Sequence, residues 1–98
     1  MPKPKGGVLI HKKRGKPKAS PGSLKTPRGR IPFQNDTHGM VEVRVPKYPQ
    51  ANTDVGPGAL GALDFTGADR GKYVYSAYCH DGDDFAEGDS SPKIIINP

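Results

Sequence analysis

The sequence predicts an all-β protein, in which a small β-rich domain at residues 33–98 follows an extended, irregular basic arm at residues 1–32. Several short stretches alternate apolar and polar residues with a period of two, as half-buried strands do. No stretch has a persuasive helical period. The charge is also divided: residues 1–30 hold ten Lys/Arg and no Asp/Glu, whereas residues 31–98 hold five Lys/Arg and ten Asp/Glu.

The composition of residues 1–32 predicts the irregular arm. This stretch contains six prolines and five glycines, and each proline removes a backbone donor and fixes its own φ, which prevents a sustained helix. Low hydrophobicity and charge of one sign leave little to offset the entropy lost on ordering. We therefore expect the arm to be disordered when free. Within it, "GGVLIH" at 6–11 is β-prone, and either adds one strand to a neighbour's sheet edge or has no role.

The cations of the arm are the candidate binding residues. Clusters of Lys and Arg bind polyanions by releasing counterions, and they need no fold to do so. The alternatives are that the arm packs on acidic protein surfaces or stays a solvated tail. Because residues 1–32 contain no aromatic residue, stacking on single-stranded bases is disfavoured and contact with a phosphate backbone remains. The candidates are Lys12, Lys13, Arg14, Lys16, Lys18, Lys25, Arg28 and Arg30.

The β-rich domain contains three stretches that predict strands and a fourth that is ambiguous. "MVEVRV" at 40–45 alternates, so its three valines share one face, and the prolines that follow end the strand. The apolar piece at 60–65 is either a strand or a turn. "KYVYSAYC" at 72–79 and "PKIIIN" at 92–97 flank a polar loop, and this arrangement predicts an antiparallel hairpin.

Residues 64–96, "DFTGADRGKYVYSAYCHDGDDFAEGDSSPKIII", resemble the last two strands of a fibronectin type III or related immunoglobulin-like sandwich. The resemblance implies that Tyr73 occupies a tyrosine-corner position, with its hydroxyl bonded to the backbone a few residues upstream. The chain has no tryptophan, and the domain is shorter than the usual ~100 residues. The expected fold is thus a small, abbreviated or incomplete immunoglobulin-like sandwich, and in the incomplete case other strands come from elsewhere.

The sequence offers no convergent polar set for catalysis, so we expect no enzyme. Cys79 and His80 are adjacent, so on a strand they point to opposite faces, and a nucleophilic Cys–His pair would need another histidine. We expect Cys79 to be a small buried hydrophobe. As the only cysteine, it cannot form an internal disulfide, which favours a reducing interior or a particle assembled inside a cell.

An acidic stretch, "DGDDFAEGD" at 81–89, contains oxygen ligands that calcium would accept. It lacks the central glycine of an EF-hand loop, and Phe85 falls where that loop supplies a ligand, so we favour a solvated hairpin tip. The stretch could also dock on the basic arm of a neighbouring copy. We expect no metal and no cofactor. The acidic residues are Asp81, Asp83, Asp84, Glu87 and Asp89.

The leading functional hypothesis is a non-enzymatic structural protein of the virion: a minor capsid, cement or decoration protein of a bacteriophage. It rests on a resemblance to the small immunoglobulin-like modules that decorate phage particles. Expected partners are capsid or other assembly subunits in many copies, and nucleic acid through the arm. The apolar run at 8–10 is too short to span a membrane, so no membrane is expected.

Two other functional classes remain as alternatives. One is a small ribosomal or other RNA-binding protein with a basic extension, which the acidic balance of residues 31–98 disfavours. The other is a calcium-binding adhesion module, which rests only on the acidic stretch.

Overall fold

Strands account for most of the structure, a computed structural model that describes residues 5–86 and 92–97. The expected all-β fold is confirmed. Among the described residues no helix is long and apolar enough to cross a membrane; the helix present is a 3-10 turn at Pro49–Ala51. The strands are β1 (Val8–Lys13), β2 (Lys16–Ser20), β3 (Ser23–Pro27), β4 (Arg30–Asn35), β5 (Val41–Arg44), β6 (Thr53–Val55), β7 (Leu60–Asp64), β8 (Gly71–Val74), β9 (Ser76–Cys79), β10 (Asp84–Phe85) and β11 (Lys93–Asn97).

The strands form three sheets that pack as a sandwich. The first layer has the order β2-β1-β4-β7, in which β1 runs antiparallel to β2 and parallel to β4. The other two sheets have the orders β10-β9-β5-β6 and β3-β11-β8. The consecutive strands β8 and β9 connect these two sheets through Tyr75, whose backbone N–H donates to the carbonyl of Pro92 (3.1 Å).

The expectation that residues 1–32 form an irregular arm is wrong for residues 8–32, most of which lie in strands β1 to β4. Val8, Ile10 and Ile31 are at most 1% exposed and belong to the same core as the rest of the chain. The prolines fit this arrangement, because Pro17 lies on β2 at the edge of the first layer and Pro27 ends β3. β1 therefore joins a sheet of its own chain.

The alternating stretches bury the residues that the sequence predicts. Val41, Val43 and Val45 are fully buried, and the ambiguous stretch at 60–65 is a strand with a buried Leu63. Burying a side chain of this size contributes about 1.5–3 kcal/mol. The core thus fills the space between the layers.

The predicted hairpin is confirmed in part. β8 and β11 pair antiparallel, with Val74 opposite Lys93. The stretch 72–79, however, forms two strands. The first, β8, pairs with β11, and the second, β9, pairs with β5, so the chain changes sheets at Tyr75. The Tyr75 ring packs edge-on against Phe33 of the first layer at 5.3 Å between centroids. This contact fixes the chain where it changes sheets.

The hydroxyl groups of two buried tyrosines have different environments. Tyr73 donates to the carbonyl of Asp69, four residues upstream, at 2.8 Å, which is the bond that a tyrosine corner makes. The Tyr75 hydroxyl is buried without a hydrogen-bond partner in the described structure, and burial raises the pKa of Tyr75 well above its ordinary value. An unmet buried hydroxyl is destabilising by about 1–3 kcal/mol.

We expect opposite effects from removing the two hydroxyls. Tyr73→Phe should lower the free energy of unfolding by about 1 kcal/mol, because it removes a made hydrogen bond. Tyr75→Phe should leave it unchanged or raise it by about 1 kcal/mol, because it removes an unmet polar group. Urea denaturation of both variants measures the difference. A larger loss from Tyr75→Phe than from Tyr73→Phe would show that the Tyr75 hydroxyl has a partner.

Candidate functional site

A tight hairpin between β1 and β2 brings basic residues together at one end of the sandwich. Arg14 and Gly15 form its two-residue turn, both with positive φ (54° and 79°), as in the type I′ turns that favour hairpins. Lys13 and Lys16 flank the turn directly opposite each other. The sequence signal was present in "HKKRGKPK", where a glycine-containing pair separates two alternating stretches, but the composition of the surrounding residues pointed to an irregular arm instead.

The hairpin has one apolar and one basic face. Ile10 and Ala19 are paired and buried. On the other face, His11 pairs with Lys18 and Lys13 pairs with Lys16, because directly opposite residues share a face. An open pocket of about 390 Å³ is lined there by Lys13, Arg14, Lys16 and Lys18; we call these four residues the basic hairpin face.

Lys12, on the opposite side of the hairpin, has a different environment. Its Nζ lies 3.3 Å from Oδ1 of Asp81, and the other carboxylate oxygen of Asp81 accepts from the backbone N–H of His38 (3.0 Å). Both hydrogen bonds lower the pKa of Asp81, and the bond from the His38 backbone has the larger effect. Asp81 thus joins three segments: the hairpin, loop 36–40 and residues 80–83. Among the described residues, the acidic stretch therefore contacts one basic side chain of its own chain, that of Lys12.

The remaining candidates lie elsewhere. Lys25 is on β3, in a different sheet, and Arg28 precedes β4. Arg30 begins β4 opposite Asp64. Because β4 runs parallel to β1 with Phe33 opposite Val8, Arg30 and Lys13 are separated by roughly 26 Å along the strand direction, at ~3.3 Å per residue. The structure therefore brings four of the eight predicted cations onto one face and places Lys12 behind it.

Exposed contacts between polar side chains cross the outer face of β9, β5 and β6. Nε2 of His80 lies 2.5 Å from Glu42, and Arg44 contacts both Glu42 (3.1 Å) and Asp54 (2.8 Å). Exposed pairs of this kind contribute at most ~1 kcal/mol each. Sequence reasoning missed this set, because only the pairing of three strands brings the residues together.

The calcium hypothesis falls partly outside the described residues, since Glu87 and Asp89 are not among them. Of the others, Asp81 contacts Lys12 and His38, and Asp83 accepts a hydrogen bond from Tyr78 (2.9 Å). Within residues 5–86 and 92–97 no three His, Cys, Asp or Glu residues come together as a metal site would require.

The single thiol is buried, as the sequence predicts. Cys79 is 0% exposed, and burial, ahead of the nearby Asp81 and Asp84 charges, raises the pKa of its thiol to about 11. The thiol is therefore protonated near neutral pH. His80 lies on the other side of the strand, 46% exposed, so the two side chains do not form a nucleophilic pair.

Comparisons with known proteins identify a similar fold. No family model and no curated protein matches the chain. Among solved structures, a purple cupredoxin from Nitrosopumilus maritimus is similar, with a TM-score of 0.65 and 16% sequence identity over 94% of this chain and 99% of that one. At this identity the likeness shows the fold alone, a sandwich of the cupredoxin kind.

This likeness corrects the expectations about family and function. The resemblance to a fibronectin type III or immunoglobulin-like phage module is wrong, because the similar sandwich is that of a cupredoxin. The hypothesis of a virion capsid or decoration protein, with RNA binding as its alternative, loses its basis with the resemblance and with the irregular arm. The Tyr73 hydrogen bond remains as a local feature of this sandwich.

Copper does not fit the residues of this chain. Electron-transfer copper sites take two imidazoles and a thiolate, and the chain has one cysteine and three histidines, all in the described part. The only thiol is buried, while His11 contacts Ser20 and His80 contacts Glu42, each away from that thiol. We therefore derive no copper chemistry for this chain.

We expect Asp81 to contribute stability that depends on pH. Since folding lowers the pKa of Asp81 from its ordinary value of 3.8, its contribution is present above that pH and is lost as the pH falls through the lower value of the folded state. Asp81→Asn should therefore lower the urea midpoint near neutral pH, and the difference from the wild type should shrink in strong acid. Asp83→Asn, whose carboxylate contacts Tyr78 instead, is the control. A deficit for Asp81→Asn that does not change with pH would contradict this assignment.

Proposed function

We propose that the chain is a non-enzymatic binding module that takes polyanionic ligands, rich in phosphate or sulfate groups, through the basic hairpin face. The observation that carries this proposal is the placement of four cations around one open pocket of an ordered hairpin. None of the ion pairs between described residues involves these four side chains.

Electrostatics supports a ligand of this class. Like charges directly opposite on neighbouring strands are destabilising, and Lys13 lies directly opposite Lys16 on this face. An anion with several charges relieves this repulsion and releases its own counterions. Such binding depends on charge spacing rather than on sequence readout. Nucleic acid, which the basic composition already suggested as a partner, is one polyanion of this chemistry.

The absence of catalysis is part of the proposal. On the outer face of β9, β5 and β6, Glu42 contacts Arg44 and His80, and Arg44 also contacts Asp54. The basic hairpin face itself contains no carboxylate, thiol or hydroxyl for proton transfer or nucleophilic attack. A face of this composition suits the holding of an anion.

A pair of charge-matched variants tests the site. We expect the affinity for polyphosphate and for heparin to fall linearly on a logarithmic scale with salt. Lys13→Gln/Lys16→Gln should make that slope shallower by about 0.7–0.9 for each ion pair with the ligand that the substitutions remove. Lys25→Gln/Arg28→Gln removes the same charge away from the hairpin and should leave the slope near that of the wild type. Fluorescence anisotropy at several salt concentrations measures both.

Two results would overturn the proposal. Equal reductions of affinity in the two double variants would show that net charge, and not this face, sets the affinity. Binding that does not weaken with salt would show that the ligand is held by other contacts. Circular dichroism of the variants confirms that the hairpin is intact, since all four substituted positions are solvent-facing.

A further inference from the structure

The likeness to a cupredoxin raises the question of what this chain does with the donor groups it has. One end of the sandwich contains the hairpin turn, loop 36–40 and residues 80–83, which meet at Asp81. Cys79, His80 and His38 lie within or beside these segments. The geometry of these side chains decides whether a metal or the protein itself joins the segments.

The thiol faces the core. Cys79 pairs with Val41 of β5, both are 0% exposed, and Ala77 on the same face of β9 is fully buried as well. The Sγ atom lies 3.8 Å from the carbonyl of Ala77. A metal at this sulfur would have to enter a packed apolar environment, in which an ion is costly unless its ligands converge.

The three imidazoles do not converge on that sulfur. Nε2 of His11 lies 2.9 Å from the hydroxyl of Ser20 on the outer face of the first layer. His80 follows Cys79 directly and contacts Glu42 on the outer face of β5. His38 lies in loop 36–40 at the same end, where its backbone N–H donates to Asp81. The thiol therefore has at most one imidazole within reach, where copper of this class needs two.

Backbone contacts hold the segments together instead. The N–H of His80 donates to the carbonyl of Met40 (2.9 Å), and the N–H of His38 donates to Asp81. The backbone of Gly39 approaches Asp81 so closely that an added Cβ would lie 2.7 Å from the Asp81 nitrogen. With the Lys12 ion pair, these contacts join loop 36–40, residues 80–83 and the hairpin.

We infer that this chain keeps a cupredoxin-like sandwich but has a metal-free clamp centred on Asp81 in place of a copper–thiolate centre. The inference goes beyond polyanion binding and does not depend on it. Among the described residues, a divalent copper ion meets exposed imidazole and carboxylate groups, such as His80 with Glu42, and leaves Cys79 in the core.

The test is an anaerobic titration of the intact chain with Cu(II), and with Co(II) as an ion that does not oxidise thiols. We expect no intense visible absorption band of a metal–thiolate bond, and spectra that are the same for the wild type and Cys79→Ser. In the folded protein, the reaction of Cys79 with a thiol reagent should be slow and should not be changed by either metal. In denaturant without metal, the same reaction should be fast.

The melting temperature distinguishes stabilisation by the Asp81 clamp from stabilisation by a bound metal. Any change of the melting temperature with excess Cu(II) should be the same in the wild type and Cys79→Ser, because the ion reaches only surface groups. Asp81→Asn and Gly39→Ala should lower the melting temperature with or without metal. A metal–thiolate band that disappears in Cys79→Ser would overturn the inference. So would a rise in melting temperature with copper that is abolished in both Cys79→Ser and His38→Ala. Polyanion binding by the basic hairpin face is unaffected by either outcome.

Discussion

The parallel pairing of β1 with β4 is the contact on which the rest of the structure depends. It places Val8 and Ile10 in the core, at 0% and 1% exposure, and each burial contributes about 1.5–3 kcal/mol. Ordering a residue costs about 1–2 kcal/mol in backbone entropy, so two buried side chains cannot order the whole basic stretch alone. The hairpin is also held by the pairing of β1 with β2, which buries Ala19 in the same core, and the Lys12–Asp81 pair adds a small contribution.

The sequence predicted the fold class and much of the core, but it misplaced the first third of the chain. Alternation made β5 visible, and the valines of that strand are fully buried. The three apolar residues that anchor β1 were visible too, but averaging composition over thirty residues hid them among prolines and lysines. The division of residues 72–79 at Tyr75 could not be predicted, because both halves follow the same alternation and only the tertiary partners differ.

The residues of the proposed site could be predicted from the sequence, but their positions relative to one another could not. The eight cations were evident in the sequence, whereas only the strand pairing shows that four of them share the basic hairpin face and that the other four lie elsewhere. Arg14 adopts a left-handed conformation, which costs an ordinary residue about 1–2 kcal/mol relative to glycine. At this turn Arg14 adds a fourth cation where glycine would give none.

A rigid hairpin changes what basic residues can do. A disordered arm loses conformational entropy when it binds, which lowers its affinity for a given contact area. Lys13, Lys16 and Lys18 lie on paired strands, so the backbone spacing between them is set before any ligand binds. The same sandwich that elsewhere supports a cupredoxin thus presents a basic face at one end, because function is determined by the side chains placed on a fold and not by the fold itself.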